Sequence, residues 1–142
     1  LCSRMPKPVL RTEPCYAIVL YCIGLNDVIA GRSRSTMYAS WVTGVNAIMA
    51  ERAGKGRTLI VGVQLPKMGS WYGGYSPSKQ TNLTGLNSSM ASFVTTTPLV
   101  RYKPAYCQNI GHTSDDDGLH LMPSKNIELA KKVLTGVLDG LK

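Results

Sequence analysis

Tyr16-Ala-Ile-Val-Leu-Tyr-Cys-Ile23, running directly into Gly24-Leu25-Asn26-Asp27, decides how this chain folds. The run 16–23 is continuously apolar and contains β-branched residues. Its length predicts a strand buried on both faces, which is the pattern of a parallel sheet. Cys22 within it reads as a small buried hydrophobe. The run is too short, and too soon interrupted by Asn26 and Asp27, to span a bilayer.

Downstream, buried strands alternate with helices. Ser35 is a candidate cap for a helix over 36–52. Its apolar residues Met37, Tyr38, Trp41, Val42, Val45, Ile48 and Met49 fall at helical spacing, and Gly54 follows its end. Residues 58–65 form a second apolar strand stopped by Pro66. Residues 67–78 read as a loop rich in Gly and aromatics, and 79–93 as a Ser/Thr/Asn-rich helix. Pro98 to Tyr102 reads as a third strand and 103–123 as a long loop. Ser124 then caps an amphipathic helix with Ile127, Ala130, Val133, Leu134, Val137, Leu138 and Leu141 on one face. This alternation predicts an α/β fold: a three-layer α/β/α sandwich around a parallel sheet. Residues 1–142 are expected to form one domain, with 1–14 as an irregular, Pro-rich and basic lead-in that reads as a processed or truncated end.

The bulk numbers narrow the function classes. At 142 residues and 44% hydrophobic content, the chain can bury a core and is not of disordered composition. The net charge of +8 comes from scattered basic residues, with no like-charge block and no basic–aromatic motif. That argues for a solvated basic surface and against nucleic acid as the partner. The spacing of Cys2, Cys15, Cys22 and Cys107 matches no zinc pattern. A disulfide among Cys2, Cys15 and Cys107 stays open. Asn82-Leu-Thr84 and Asn87-Ser-Ser89 are glycosylation sequons, but sequons are frequent by chance, and the compartment stays open too.

In a parallel sheet, sites collect at the carboxyl ends of strands. After the first strand stands Gly24-Leu25-Asn26-Asp27. An Asn there can aim its amide at a developing oxyanion, although the pattern also fits an Asx turn. Before the last helix stands Asp115-Asp116-Asp117-Gly118-Leu119-His120. A His is a natural general base near neutral pH, and an acid three residues earlier can fix its tautomer. Acidic residues before a helix also suit its N-terminal dipole. Trp71 and Tyr72, in the loop after the second strand, are candidate substrate-binding rings or a packed surface loop. His112 reads as a bystander, and nothing near Cys107 points to a lowered thiol pKa.

Taken together, Gly24-Leu25-Asn26-Asp27 and Asp117-Gly118-Leu119-His120 resemble the third and fifth blocks of the SGNH (GDSL-type) hydrolases. The stretch from Asp117 to Asn126 is similar to that of the isoamyl-acetate-type esterases in that family. The resemblance covers residues 14 to 142, with Leu121 standing where many members have Pro. It implies a flavodoxin-like sandwich and hydrolysis of a carboxylic ester, including deacetylation of a small or carbohydrate ester. No metal or organic cofactor is implied. His120 would be the base and Asp117 its orienting acid. Asn26, with Gly24, would belong to the oxyanion hole, and Asp27 would support the site structurally. The family's nucleophile lies in a Gly-Asp-Ser block on an earlier strand, and no Gly-Asp-Ser occurs in these 142 residues. The serine is therefore expected from a missing or separate N-terminal segment. The other expectations are an inactive structural subunit of a larger assembly, or a ligand-binding module using the aromatic loop. The family's first strand would pair with 16–23, so that edge is expected to be covered by a companion chain, by residues 1–14 or by another protein.

Overall fold

The structure, a computed structural model, describes residues 16–142. Strands β1 (Tyr16–Tyr21), β2 (Arg57–Val63) and β3 (Val100–Ala105) form one sheet in the order β1-β2-β3, with both pairings parallel. Parallel neighbours need crossover connections, and these are helical. Helices α1 (Leu25–Ile29) and α2 (Arg34–Arg52) join β1 to β2. Helix α3 (Pro77–Ala91) joins β2 to β3, and α4 (Pro123–Leu141) follows β3. The fold is α/β with an all-parallel sheet, as the alternation predicts.

Central β2 explains the continuous apolar run. Thr58 to Val63 are all buried. Ile60 lies in a core with Trp41 and Val45 of α2 and Leu83 and Leu86 of α3. Its neighbours Leu59, Val61 and Val63 lie in a second core with Ala105, Cys107 and Ile110, against Leu129, Val133 and Val137 of α4. Alternate residues thus point to opposite faces. Leu59, Ile60 and Val61 are fully buried, each worth about 1.5–3 kcal/mol. Trp41 centres the first core, meeting Phe93 and Tyr102 edge-on at 5.1 and 5.5 Å between ring centroids.

Several boundaries differ from the sequence expectation. β1 ends at Tyr21, and Cys22 is exposed beyond it rather than buried in the strand. The cap of α2 is Ser33, which accepts from Thr36 N at 3.3 Å, because the helix begins at Arg34, one residue before Ser35. Helix α4 begins at Pro123, whose fixed φ suits a first helical position, so Ser124 lies inside it instead of capping it. β3 runs on through Pro104, which an edge strand tolerates because one side of its ladder needs no donors. Residues 1–14, the expected lead-in, lie outside the described residues.

The amphipathic face of α4 is wider than the sheet surface beneath it. Gly136 and Gly140 are buried, the latter against Leu59, so that a Cβ on Gly140 would stand 2.4 Å from that side chain. Ile127, Leu134, Leu138 and Leu141 remain exposed. β1 has the same open aspect. Ile18 and Leu20 pair with Leu59 and Val61 and so share the α4 face, yet they are 47% and 56% exposed. Among the described residues, β1 pairs only with β2, so no described segment supplies the expected cover. No helix of the described residues is long and apolar enough to cross a membrane.

Asn87 of α3 fixes the turn out of β2. Its Oδ1 accepts from Leu65 N at 3.0 Å and its Nδ2 donates to Leu65 O at 2.7 Å. The Asn87 side chain is buried and both ends of its amide are occupied, so this sequon presents no free amide on the folded chain. Asn87→Ala leaves a buried N–H and C=O without partners, and we expect a loss of about 2–4 kcal/mol. Urea unfolding checks it. A lowered midpoint at unchanged m is the expected result, and a change under about 0.5 kcal/mol contradicts this role for Asn87.

Candidate active site

The loop after β2 and the loop before α4 meet through a backbone contact, and the end of β1 joins them through side-chain packing. Gly24 ends the β1 segment at φ 113°, a left-handed value suited to glycine, and its carbonyl starts α1 by accepting from Val28 N at 3.0 Å. It packs against Leu86 and Leu65, the residue Asn87 holds. After β2, Gly69 N donates to Gly118 O at 2.7 Å. The two glycines approach so closely that a Cβ on Gly69 would lie 2.8 Å from the Gly118 Cα. Gly118 itself has φ 75°. Only glycine allows this approach at 69 and is free of strain at 118.

On that support stand the sequence-predicted acid and base. Asp117 Oδ2 meets His120 Nδ1 at 2.6 Å. Asp117 Oδ1 accepts from the backbone N–H of His120 at 2.6 Å and of Leu119 at 2.8 Å. An ionised Asp117 can only accept, so Nδ1 carries the hydrogen and Nε2 keeps the lone pair of a base. The His120 side chain is 75% exposed and that of Asp117 is 54% exposed.

Asn26 is the second residue of α1 and is exposed. Its side chain makes no hydrogen bond among the described residues. Its neighbour Leu25 and the dyad's Leu119 both pack on the core beneath α2 and α3, which anchors the two motifs on one hydrophobic body. Asp27 holds Arg32 Nε at 3.1 Å across the turn after α1. The structure therefore joins Asp117 to His120 directly, and joins Gly24 and Asn26 to them only through the shared core.

Trp71 is 49% exposed, and its Nε1 donates to Asp116 O at 2.9 Å, so its ring stands beside the dyad loop. Tyr72 is half-buried, packed on the core with its backbone against Gly118. One group of contacts was not legible in the sequence. His112, set aside there, forms a buried hydrogen-bonded pair with Asp116, the residue before Asp117, at 3.0 Å. A spacing of four was its only sequence signal. Cys107 is a buried free thiol whose pKa burial pushes up to about 11, which removes it as a nucleophile at neutral pH.

Cavities of about 380 Å³ beside β3 and α4, and about 310 Å³ at the amino ends of β2 and β3, include none of Asn26, Asp117 or His120. The candidate site is open surface. Among the described residues, no three His, Cys, Asp or Glu side chains converge as a metal ion would require. No family model matches this sequence, and no curated protein is significantly similar to it. The functional reading therefore rests on the geometry and on the motifs.

The backbone N–H of His120, then its imidazole and the Leu119 N–H, hold the Asp117 carboxyl well below the usual carboxylate range. Because the folded value is the lower one, the stability these bonds contribute is present above an ordinary aspartate pKa of about 3.9. It is lost as pH falls through the folded value. The carboxyl carbon of Asp117, followed by NMR, should remain that of a carboxylate at about pH 3. A midpoint near 3.9 contradicts the contacts described here.

Proposed function

We propose that this chain supplies the base and oxyanion half of an SGNH-type serine esterase, whose nucleophilic serine lies in polypeptide outside these 142 residues. The observation that carries this reading is the Asp117–His120 contact of 2.6 Å, with Nε2 left as the basic nitrogen. In the proposed reaction, the serine Oγ attacks the ester carbonyl carbon while His120 Nε2 takes its proton. Asn26, with Gly24, stabilises the tetrahedral oxyanion. The carbon–oxygen bond to the alcohol then breaks, and His120 returns the proton to the leaving oxygen. Water, deprotonated by His120, hydrolyses the acyl-enzyme to the carboxylic acid and free serine. Trp71, beside the dyad loop, would contact the substrate, and Asp27, paired with Arg32, would support the helix that carries Asn26.

The open edge of β1 is the proposed dock for the serine segment. A strand added there in parallel would end beside Gly24 and Asn26, because parallel strands bring their carboxyl ends to one side of the sheet. It would also pair the edge of β1 that no described segment pairs, and cover Ile18 and Leu20. A second reading rests on the same surface. An inactive SGNH-like structural subunit would seat β1 and the exposed face of α4 against an unrelated protein.

Turnover of a short-chain nitrophenyl ester by the protein together with its serine segment separates the two. On the esterase reading, His120→Ala lowers kcat roughly 10³–10⁶-fold, the scale of losing a triad member, with the fold retained by circular dichroism. Turnover within about threefold of the parent protein would rule out His120 as the base.

A further inference from the structure

Beside the exposed dyad, the described residues hold a second acid–histidine pair, which is buried and adjoins the dyad in sequence. The side chains of His112 and Asp116 are each only 2% exposed. The Asp116 carboxylate accepts three donors: His112 Nδ1 at 3.0 Å and Thr113 N at 2.9 Å on Oδ2, and Gly118 N at 2.7 Å on Oδ1. Its backbone carbonyl accepts Trp71 Nε1. The Trp71 ring meets the imidazole of His112 edge-on, 6.4 Å between centroids. Gly118 is held a second time through its carbonyl by Gly69 N.

Asp117 therefore sits between two residues that are each fixed at both backbone and side-chain level, or at both backbone groups. Its own carboxylate is exposed and can turn in water. The N–H groups of Leu119 and His120 hold its Oδ1 locally, while the direction in which residue 117 leaves the chain is set by residues 116 and 118, and the Asp116 carboxylate spans these from His112 to Gly118. A buried carboxylate keeps such an arrangement only while its donors are in place. Thr113 N and Gly118 N come from the loop itself. His112 is the side-chain donor.

We infer that His112 is a positioning residue, acting through Asp116 to hold Asp117 in line with Nδ1 of His120. The inference rests on the esterase reading for its purpose, but not for its geometry. His112 touches no reacting atom. Its effect is to keep His120 in the tautomer with hydrogen on Nδ1 and the lone pair on Nε2. A merely structural role would alter stability and leave that tautomer unchanged.

The test is ¹⁵N NMR of the His120 imidazole in the folded chain, reading which ring nitrogen carries the hydrogen in the neutral form. The parent chain should show the Nδ1–H form in excess. Asp117→Asn should shift the population toward Nε2–H. His112→Ala should shift it in the same direction, and His112→Asn, which retains an N–H donor, should restore part of it. Where His112→Ala does not fold, Asp116→Asn weakens the same bond without opening a cavity and should produce the same shift. If Asp117→Asn shifts the tautomer but neither His112→Ala nor Asp116→Asn does, the role of His112 is overturned and the dyad stands. If Asp117→Asn itself leaves the tautomer unchanged, the dyad reading and this inference both fall. Tautomer shifts as expected in a protein without esterase activity would overturn only the proposed reaction.

Discussion

A strand paired on both edges and packed on both faces has no solvent to satisfy its backbone or cover its side chains. Residues Arg57–Val63 are in that position, and the other described elements are placed by meeting that constraint. The parallel ladders with β1 and β3 satisfy the backbone. Helices α2 and α3 cover Ile60, and α4 covers Leu59 and Val61. Because both ladders are parallel, the turns leaving β1 and β2 emerge at the same end. Asn87 then redirects the chain after β2, which lets Gly69 reach Gly118. The dyad is thus a consequence of how β2 is buried, several contacts removed.

Among the described residues β1 and β3 are both edge strands, and their apolar side chains are covered differently. β3 carries Pro104, lies beneath α4 and closes against the buried loop of Cys107 and Ile110. Among the described residues β1 pairs on one edge only, and it exposes two large apolar side chains on the face it shares with α4. Helix α4 turns Leu134 and Leu138 to solvent, while Gly136 and Gly140 bring its inner face, with Leu129, Val133 and Val137, tight against the sheet. Exposed apolar side chains on a sheet edge and on a helix face are the kind of surface a partner covers. On the reading proposed above, the element that covers it also completes the chemistry.

Much of the fold was legible because the strong signals are local. The apolar run from Thr58 and the helical spacing of Met37, Trp41, Val45 and Met49 require only the period of the element that carries them. The pairing of Asp117 with His120 was legible for the same reason, since three residues across a glycine suffice to close it. Less visible were features set by tertiary contact. The five-residue helix over Leu25–Ile29 is too short to have a period. The cap at Ser33 replaces the expected Ser35 because only the structure places the first turn. The exposure of Leu134 and Leu138 depends on how far the sheet extends beneath α4. The bond from His112 to Asp116 depends on burial, which a spacing of four does not encode. Asn87 read as one of several polar residues in a weak helix, and its part in holding Leu65 required the meeting of two elements 22 residues apart.

The central claim is that Asp117 and His120 activate a serine carried by polypeptide that docks beside β1. The most direct measurement treats the protein, isolated with whatever polypeptide accompanies it, with a serine-reactive fluorophosphonate and maps the labelled peptide by mass spectrometry. The account predicts a label on the serine of a Gly-Asp-Ser peptide present in equal amount with this chain. Folded material in which no such peptide is labelled would contradict it, and would leave the surface of β1 and α4 as the seat of a structural partner.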